Sequence, residues 1–508
     1  MAIAVDEIEL KYEAPPGTVP PTLEDLPKVA AESDPDEQSL EAEYYDTADL
    51  RLLRARITLR RRSGGSDAGW HLKLPLGHAA RREIQLPLSH GGSADSPVPE
   101  ELAALVRVHA RREPLRPVAI IRTSRQRRLL LDDAGSSLAE LVADEVVAET
   151  LGDSTTISQW HEVQVELTGG RKLLDAADER LRGSGLHRAA NSAKLERALA
   201  GQLPAQPAGP RLTPRSPAGD VVLAYLRAQV NALTTMDPMV RRDEHDAVHQ
   251  MRVAARRLRS ALQAFEQVVG GPQARFLEAE LKWLGGLLGA PRDAEVLAGR
   301  LQRHLHETPA ELVMGAAAGR LRLHFAPLAA AGRADLLAAL DSARYFVLLD
   351  ALAELLANPP LTAKAGKRAV DVLPALVARA YRRVARRTRQ VPRAPSGHAR
   401  DVALHDVRKA AKRARYAAEA VSPAMGGKAG RFARRMKDLQ SVLGDHQDAV
   451  VARGVDRELG LSSYLAGENA FTYGLLHERD AEEALWLQDQ ARRAWQRSSR
   501  PKYRRWMT

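Results

Sequence analysis

Residues 6–14 of the 508-residue chain read DEIELKYEA, with Glu7, Glu9 and Lys11 alternating with Ile8, Leu10 and Tyr12. In a strand, alternate side chains share a face. Two carboxylates and an ammonium therefore point one way, and three apolar groups the other. Neighbouring like charges repel unless something sits between them. The same one-sided charge recurs in ITLRRR (Arg60 and Arg62, preceded by Arg54 and Arg56), WHLKLP (Lys73) and RREIQLP (Arg81 and Glu83). It recurs again in RTSRQRRLLL, through Arg122 or, on the opposite face, Arg125 and Arg127, and in HEVQVEL, through Glu162, Gln164 and Glu166. A single strand of this kind is ordinarily a solvated face. Several of them, each with an apolar reverse side, suggest a sheet closed into a barrel with one face inside. An interior of Arg and Lys opposite Glu suits an oligophosphate with a divalent metal: cations hold phosphate oxygens, and hard carboxylates hold Mg²⁺ or Mn²⁺.

The elements that must position these groups fall into two kinds. Residues 1–200 read mostly as short alternating strands separated by Gly, Pro, Ser or Asp, with helical pieces at about 99–111 and 171–183. LPAQPAGPRLTPRSPAG (203–219) is rich in Pro and Gly, so a linker is expected over 201–218. From there to the end nearly every segment has helical spacing, giving a domain at 219–508. This part contains a repeat. HQMRVAARRLRSA (249–261) matches HDVRKAAKRARYA (405–417) at an offset of 156, and LKWLGGLLGAPRDAEV (281–296) matches MKDLQSVLGDHQDAVV (436–451) at 155. Two matches in the same order imply duplicated halves, about 219–360 and 361–508, related by a pseudo-two-fold.

Charge divides along the same line. Residues 1–200 carry 26 Lys and Arg against 33 Asp and Glu, a net of −7, and residues 201–508 carry 49 against 31, a net of +18. The second part is therefore suited to a polyanion. In its first repeat His245, His249, Arg252, Arg256 and Arg259 form one stripe along a helix, and His405, Arg408, Lys412 and Arg415 form the equivalent stripe in the second. Like charges at this spacing destabilise a helix unless an anion relieves them. Nucleic acid is the weaker candidate: six Phe, ten Tyr and six Trp serve the whole chain, so stacking platforms are scarce, and no helix-turn-helix pattern is evident.

The first part resembles the CYTH superfamily, the triphosphate tunnel metalloenzymes. The resemblance rests on EIELK as an ExExK signature, followed in order by YYDTADLRLLRARITLRRR (44–62), GWHLKLP (69–75), the basic–acidic pair Arg82–Glu83, RTSRQRRLLL (122–131), ADE (143–145), EVQVEL (162–167) and NSAKLERAL (191–199). It implies an eight-stranded antiparallel tunnel that hydrolyses inorganic tripolyphosphate or a related short oligophosphate with Mg²⁺ or Mn²⁺. By position, Glu7, Glu9, Glu162 and Glu166 would be metal ligands, and Glu7, Glu9 and Lys11 the catalytic group. Lys11, Arg60, Arg62, Lys73, Arg122, Arg125 and Lys194 would bind triphosphate, with Glu83 and Asp144 as supporting acids. Gln164 departs from the pattern, standing where many members carry a further glutamate, and Ala193 replaces a serine.

The second part is similar to the CHAD domain (conserved histidine α-helical domain), on the paired motifs HQMRVAARRLRS and HDVRKAAKRARY and LLGAPRDAEV and VLGDHQDAVV. That resemblance implies two pseudosymmetric four-helix bundles whose basic surface, His249, Arg252, Arg256, Arg259, His405, Arg408, Lys412 and Arg415, binds inorganic polyphosphate. The expected fold is thus multidomain α+β, a β-tunnel followed by an all-α domain. Two other functions fit the same motifs: a polyphosphate-binding or localising protein whose tunnel scarcely turns over, and an adenylyl cyclase.

Several classes are excluded. With no cysteine, disulfides, thiolate metal sites and a cysteine nucleophile are absent. No GxxxxGK[ST] loop occurs. The N-terminus lacks the basic and apolar regions of a signal peptide, and no apolar run approaches the roughly 20 residues of a membrane span. A cytoplasmic protein is expected, including one associated with polyphosphate granules. Oligomeric state is not legible.

Overall fold

The computed structural model describes residues 3–507 except 77–79, 92–96, 153, 168–171, 190–192, 204–210 and 396; the side chains of 3–8, 80 and 172 also lie outside the described residues. The chain divides into two compact units, Met1–Pro207 and Ala208–Thr508. Most of the expected linker, 204–210, is outside the described residues.

The first unit is an antiparallel sheet of β1 (Ile3–Ala14), β2 (Ala31–Glu32), β3 (Asp36–Asp46), β4 (Thr58–Ser63), β5 (Gly69–Pro75), β6 (Ala80–Leu86), β7 (Arg116–Leu131), β8 (Ser137–Thr150), β9 (Ile157–Leu167) and β10 (His187–Arg188). Its pairing runs β1-β6-β5-β4-β3-β7-β8-β9, and β9 pairs back onto β1, so eight strands close into a barrel. β1 makes the closure because it is long enough to serve two neighbours. Its first half pairs β6 (Val5 with Glu83, Glu7 with Arg81), and its second half pairs β9 (Glu9 with Glu166, Lys11 with Gln164).

Polarity is inverted relative to a small barrel with an apolar interior. The apolar faces of the strands point outward and are covered by helices. Leu72, Leu74, Ile84 and Leu86 pack against Leu102, Leu105 and Val106 of a helix at Glu100–Ala110. Tyr12, Leu141, Val163 and Val165 pack against Leu173, Leu174, Ala177 and Leu181 of the helix Lys172–Gly183. Burial of a large apolar side chain contributes roughly 1.5–3 kcal/mol, so covering these faces outweighs leaving them wet. The interior is left for the charged parity. Ala119, Ile121, Val146 and Ala148 cluster with Leu195 and Leu199, which come from or follow the short helix Lys194–Ala198.

The YYDT segment has a structural task. Asp46 is fully buried, and its carboxylate accepts from the backbone N–H of Leu52 and Leu53 at 2.9 Å each and of Thr47 at 2.7 Å. Thr47 Oγ1 accepts from Arg51 N at 3.0 Å. These bonds satisfy the unpaired N–H groups at the start of the single helical turn Arg51–Arg54, and that turn delivers the chain into β4.

The second unit is helical. Its first half holds Ala218–Arg241, Ala247–Ala264, Pro272–Leu287, Gly289–His306, Ala317–Leu340 and Ala343–Ala357. Its second half holds Ala369–Gln390, His398–Met425, Gly427–Leu465 and Phe471–Ser498. One repeat segment is broken in the first half and continuous in the second. Gly285, Gly286 and Pro291 interrupt the first copy at Leu288, where the second has Gln440, Ser441 and His446 in an unbroken helix.

Candidate functional site

The barrel interior encloses a cavity of about 240 Å³. Among the described residues it is lined by eight cations, Lys11, Arg60, Arg62, Lys73, Arg81, Arg125, Arg127 and Lys194, against five carboxylates, Glu9, Asp67, Glu83, Glu140 and Glu166. Strand parity puts most of them there, each following its inward-facing neighbour by two, while Asp67 comes from the turn between β4 and β5 and Lys194 from the helix Lys194–Ala198. The sequence-predicted Glu9, Lys11, Arg60, Arg62, Lys73, Glu83, Arg125, Glu166 and Lys194 all reach this cavity. Glu7 is placed by register opposite Arg81, and its side chain lies outside the described residues.

The acidic side centres on three neighbouring strands. Glu9 of β1 faces Glu166 of β9, which faces Glu140 of β8. Burial alone would raise the Glu9 carboxyl, but Lys11, Lys73 and Arg81 outweigh it and hold it at about 2. Lys11 Nζ is 3.3 Å from Glu9 Oε1. Glu166 is pushed up from the ordinary carboxylate range by burial and by Glu9, Glu140 and Glu83, against the pull of Lys73. A carboxylate raised by like charges is relieved by a cation placed between them. Glu9 and Glu166 therefore fit a hard divalent metal through their oxygen donors.

The cationic side is incompletely neutralised. Arg62 is buried and pairs with Asp67, yet its Nε has no hydrogen-bond acceptor among the described residues. Burial and the neighbouring Arg60 and Arg125 lower it to about 9. Arg60 Nη1 donates to Tyr44 Oη at 3.3 Å, and Arg60 and Lys73 lie 3.9 and 3.8 Å from Glu83 Oε1. Glu83 is also 2.8 Å from Nδ1 of buried His71, whose Nε2 lies 2.9 Å from the Asp67 carbonyl oxygen. Burial takes that imidazole down to about 4 despite Glu83.

Two predicted site residues are placed differently from the rest. Arg122 sits on the outer face of β7, exposed, with Nε 2.7 Å from Glu41 and Nη1 3.6 Å from Glu149. The parity that carries Arg125 and Arg127 inward turns it out. Glu162 is buried but its oxygens are already occupied. Oε2 accepts from Trp160 Nε1 at 2.8 Å, while Oε1 takes Lys194 Nζ at 2.8 Å and the Gln164 amide. Both of its oxygens are thus engaged by neighbouring side chains. Asp144 is saturated likewise, by the Arg125 fork at 2.8 and 2.8 Å, Lys194 at 2.8 Å and Gln164 at 3.2 Å. Burial opposes ionisation of Asp144, but Lys194 and Arg125 bring it well below the usual range.

Gln164 thus donates to both Asp144 and Glu162. A glutamate there would set three carboxylates around Lys194. Gln164→Glu is expected to destabilise the metal-free protein by about 2–3 kcal/mol at neutral pH, with the loss shrinking as acid protonates the added group. Urea unfolding in chelator measures it, and an unchanged midpoint would sink this account. Arg127 and Glu140, which form a two-point ion pair with one contact at 3.0 Å, carry no predicted role. Only the register placing Glu140 opposite Glu166 reveals the acid.

In the helical unit Arg408 is pushed down by burial and by Arg256 and Arg252, and burial with Arg408, Arg256 and Arg252 lowers Lys412 to about 7. The two stripes therefore converge. The two repeated motifs also meet each other. Arg252 Nη1 and Nη2 hold Asp293 at 2.7 and 3.2 Å, and a Cβ on Gly289 would come within 3.3 Å of Arg252 Nη2. In the second half Arg408 lies over Gly444, 3.5 Å from such a Cβ, with Asp448 as its opposing charge. Arg256 Nε donates to Tyr416 Oη at 2.9 Å. His249 and His405 are half-buried and lowered, chiefly by burial. Arg415 is engaged by Glu419 at 2.6 Å and Gln440 at 3.1 Å, and Arg259 is half-buried.

A closed barrel with charges inside, joined to a duplicated helical unit with converging basic stripes, defines a two-domain tunnel protein. The CYTH domain model matches residues 6–194 and the CHAD domain model residues 224–455. The uncharacterized protein Rv2226 of Mycobacterium tuberculosis is 38% identical over 502 residues, spanning 95% of this chain and 94% of that one. The chain belongs to the CYTH–CHAD family. PptA from Streptomyces chartreusis is 26% identical, with 55% of this chain and 100% of that chain covered and a TM-score of 0.49. The CHAD domain of the plant Ricinus communis is also 26% identical, with 57% and 96% covered and a TM-score of 0.44. CYTH domains bind triphosphate substrates and their tunnel enzymes generally use divalent metals, while CHAD domains are linked to polyphosphate. No helix among the described residues is long and apolar enough to cross a membrane.

Proposed function

We propose that the barrel is a metal-dependent hydrolase of inorganic tripolyphosphate or a related short oligophosphate, and that the helical unit binds inorganic polyphosphate. The observation that carries the first half is the cation excess around the cavity, with the buried Arg62 Nε left without an acceptor among the described residues. An oligophosphate supplies both the missing charge and the missing acceptors.

In this reading Arg60, Arg62, Lys73 and Arg81 hold phosphate oxygens, and Lys11 sits between the anion and Glu9. Arg125 and Lys194 are fixed by Asp144, so their charge is presented without rotational loss. Glu9 and Glu166, with Glu7 beside them on β1, would hold Mg²⁺ or Mn²⁺. That ion would neutralise charge on the transferring phosphoryl group. The cage orients the chain for in-line attack by water, and positioning with electrostatics is most of what phosphoryl transfer requires. Arg122 has no part, and Glu162 serves by holding Lys194.

The test is incubation of the purified chain with Mg²⁺ and either tripolyphosphate or ATP, with orthophosphate, pyrophosphate and cyclic AMP measured. Orthophosphate from tripolyphosphate is expected. Cyclic AMP with pyrophosphate from ATP would instead make the tunnel a cyclase, and binding without turnover would make it a docking site.

A further inference from the structure

The helical unit carries a second cationic feature outside the repeated motifs. On the helix Ala369–Gln390, Arg379, Arg382, Arg383, Arg386 and Arg389 share one face and are all exposed, while Leu373, Leu376, Val377 and Val384 are buried on the other. With Arg275, Arg413 and Arg504 they line a groove of about 1190 Å³ that contains two carboxylates, Glu266 and Glu278. Among the described residues none of these eight arginines forms an ion pair. Elsewhere in the same unit Arg241, Arg300, Arg320 and Arg344 each hold a carboxylate at 2.5–2.7 Å. Like charges three and four apart on a helix repel, so an array this dense and unpaired is set for an anion from outside.

The pseudo-two-fold sharpens the point. The helices Ala218–Arg241 and Ala369–Gln390 start at matched points, where Pro217 bridges Arg368 and AGDVV (218–222) answers to AVDVL (369–373). Ala228, Asn231, Ala232 and Thr235 then stand where the second half has Arg379, Arg382, Arg383 and Arg386. The first copy is uncharged at those positions and the second carries four exposed arginines. The groove is therefore one-sided. It is also continuous with a motif stripe: Arg413 on the groove wall is lowered by burial and by both Arg383 of the groove and Arg259 of the stripe.

The groove offers little to bases. Tyr381 and Trp495 line it but stack on one another at 5.9 Å and 19°. Phe432 meets Tyr381 edge-on at 6.0 Å, and Arg504 sits 5.4 Å from the centre of its ring. Stacking of single-stranded nucleic acid needs free ring faces.

We propose that this groove is the second segment of one anion track: a long, base-free phosphate polymer held at the converging stripes continues past Arg259 and Arg413 along Arg383, Arg379 and Arg386. The groove thereby sets a preference for long chains over short ones. This rests on the reading of the helical unit as a polyphosphate binder.

The full chain carrying Arg379→Glu, Arg383→Glu and Arg386→Glu is compared with the triple Arg→Lys variant and wild type. Each is titrated with long-chain polyphosphate, tripolyphosphate and poly(U) over a range of salt. The Glu variant should bind long chains at least about 10-fold more weakly, with a shallower salt dependence. The Lys variant should retain most of the affinity, and tripolyphosphate hydrolysis should be unchanged in both. The side chains are exposed, so a wild-type melting curve is expected. Wild-type long-chain affinity in the Glu variant would overturn the proposal while leaving the stripes in place. Poly(U) bound as tightly as polyphosphate, and lost in the Glu variant, would overturn it in favour of nucleic acid. Failure of wild type to bind polyphosphate at all would remove the underlying reading as well.

Discussion

Glu9→Gln and Glu166→Gln, singly or together, should each lower metal-dependent tripolyphosphate hydrolysis by on the order of 10²–10³ or more. The two carboxylates face one another across β1 and β9, so loss of either removes one of the few oxygen donors available to a hard cation that prefers several. Their effects on the metal-free fold should have opposite signs. Glu9 is held at about 2 in the fold, below its unfolded range. It therefore contributes stability that is present above about pH 4.5 and lost as pH falls toward 2. Glu166 is raised, so its ionisation costs stability as pH rises through its folded value. In chelator at neutral pH, Glu9→Gln should unfold at lower urea than wild type, and Glu166→Gln at higher urea. Near wild-type turnover in either variant would refute the metal-ligand assignment. Equal, large losses of stability in both would show that the variants report folding rather than ligation.

Reversal of Arg252, Arg256, Arg408 and Lys412 to Glu should abolish polyphosphate binding even at low salt. Burial, with the crowding of Arg408, Arg256 and Arg252, brings Lys412 to about 7, and reversal turns their local charge from repelling cations to repelling the polymer. Tripolyphosphate hydrolysis should be little changed, because the barrel's lining contains none of them. Wild-type affinity should fall steeply with salt, as expected when counterions are released. It should also fall with rising pH. A bound polyanion lifts the Lys412 ammonium above its free value of about 7, so binding takes up a proton and weakens between about pH 7 and the ordinary lysine range near 10. Retained affinity in the reversed protein would return the stripes to ordinary solvated faces. Affinity flat between pH 6 and 9 would remove Lys412 from the surface.

The residues that the amino-acid sequence determined by itself are those governed by local period. Alternation along β1, β4, β5 and β7 suffices to put Glu9, Lys11, Arg60, Arg62, Lys73 and Arg125 on charged faces, because a strand's side-chain direction depends only on parity. A gapless offset suffices for the duplicated helical halves, since homologous helices keep their spacing. Which charged face turns inward is a different matter. Arg122 and Arg125 stand on opposite faces of one long strand with equal chemical credentials, and only closure of the barrel through the β1–β9 pairing sends one in and the other out. Partner choice is likewise tertiary. Parity gives Glu162 its face, but only the fold brings Lys194 of the helix Lys194–Ala198 to 2.8 Å from one oxygen and Trp160 to the other. Glu140 gains meaning only from lying across from Glu166. The arginine face of Ala369–Gln390 is written openly as RAYRRVARRTR. That it lines a groove follows from packing, with the other walls supplied by four further helices, and Coulomb energy depends on distances that chain order does not contain.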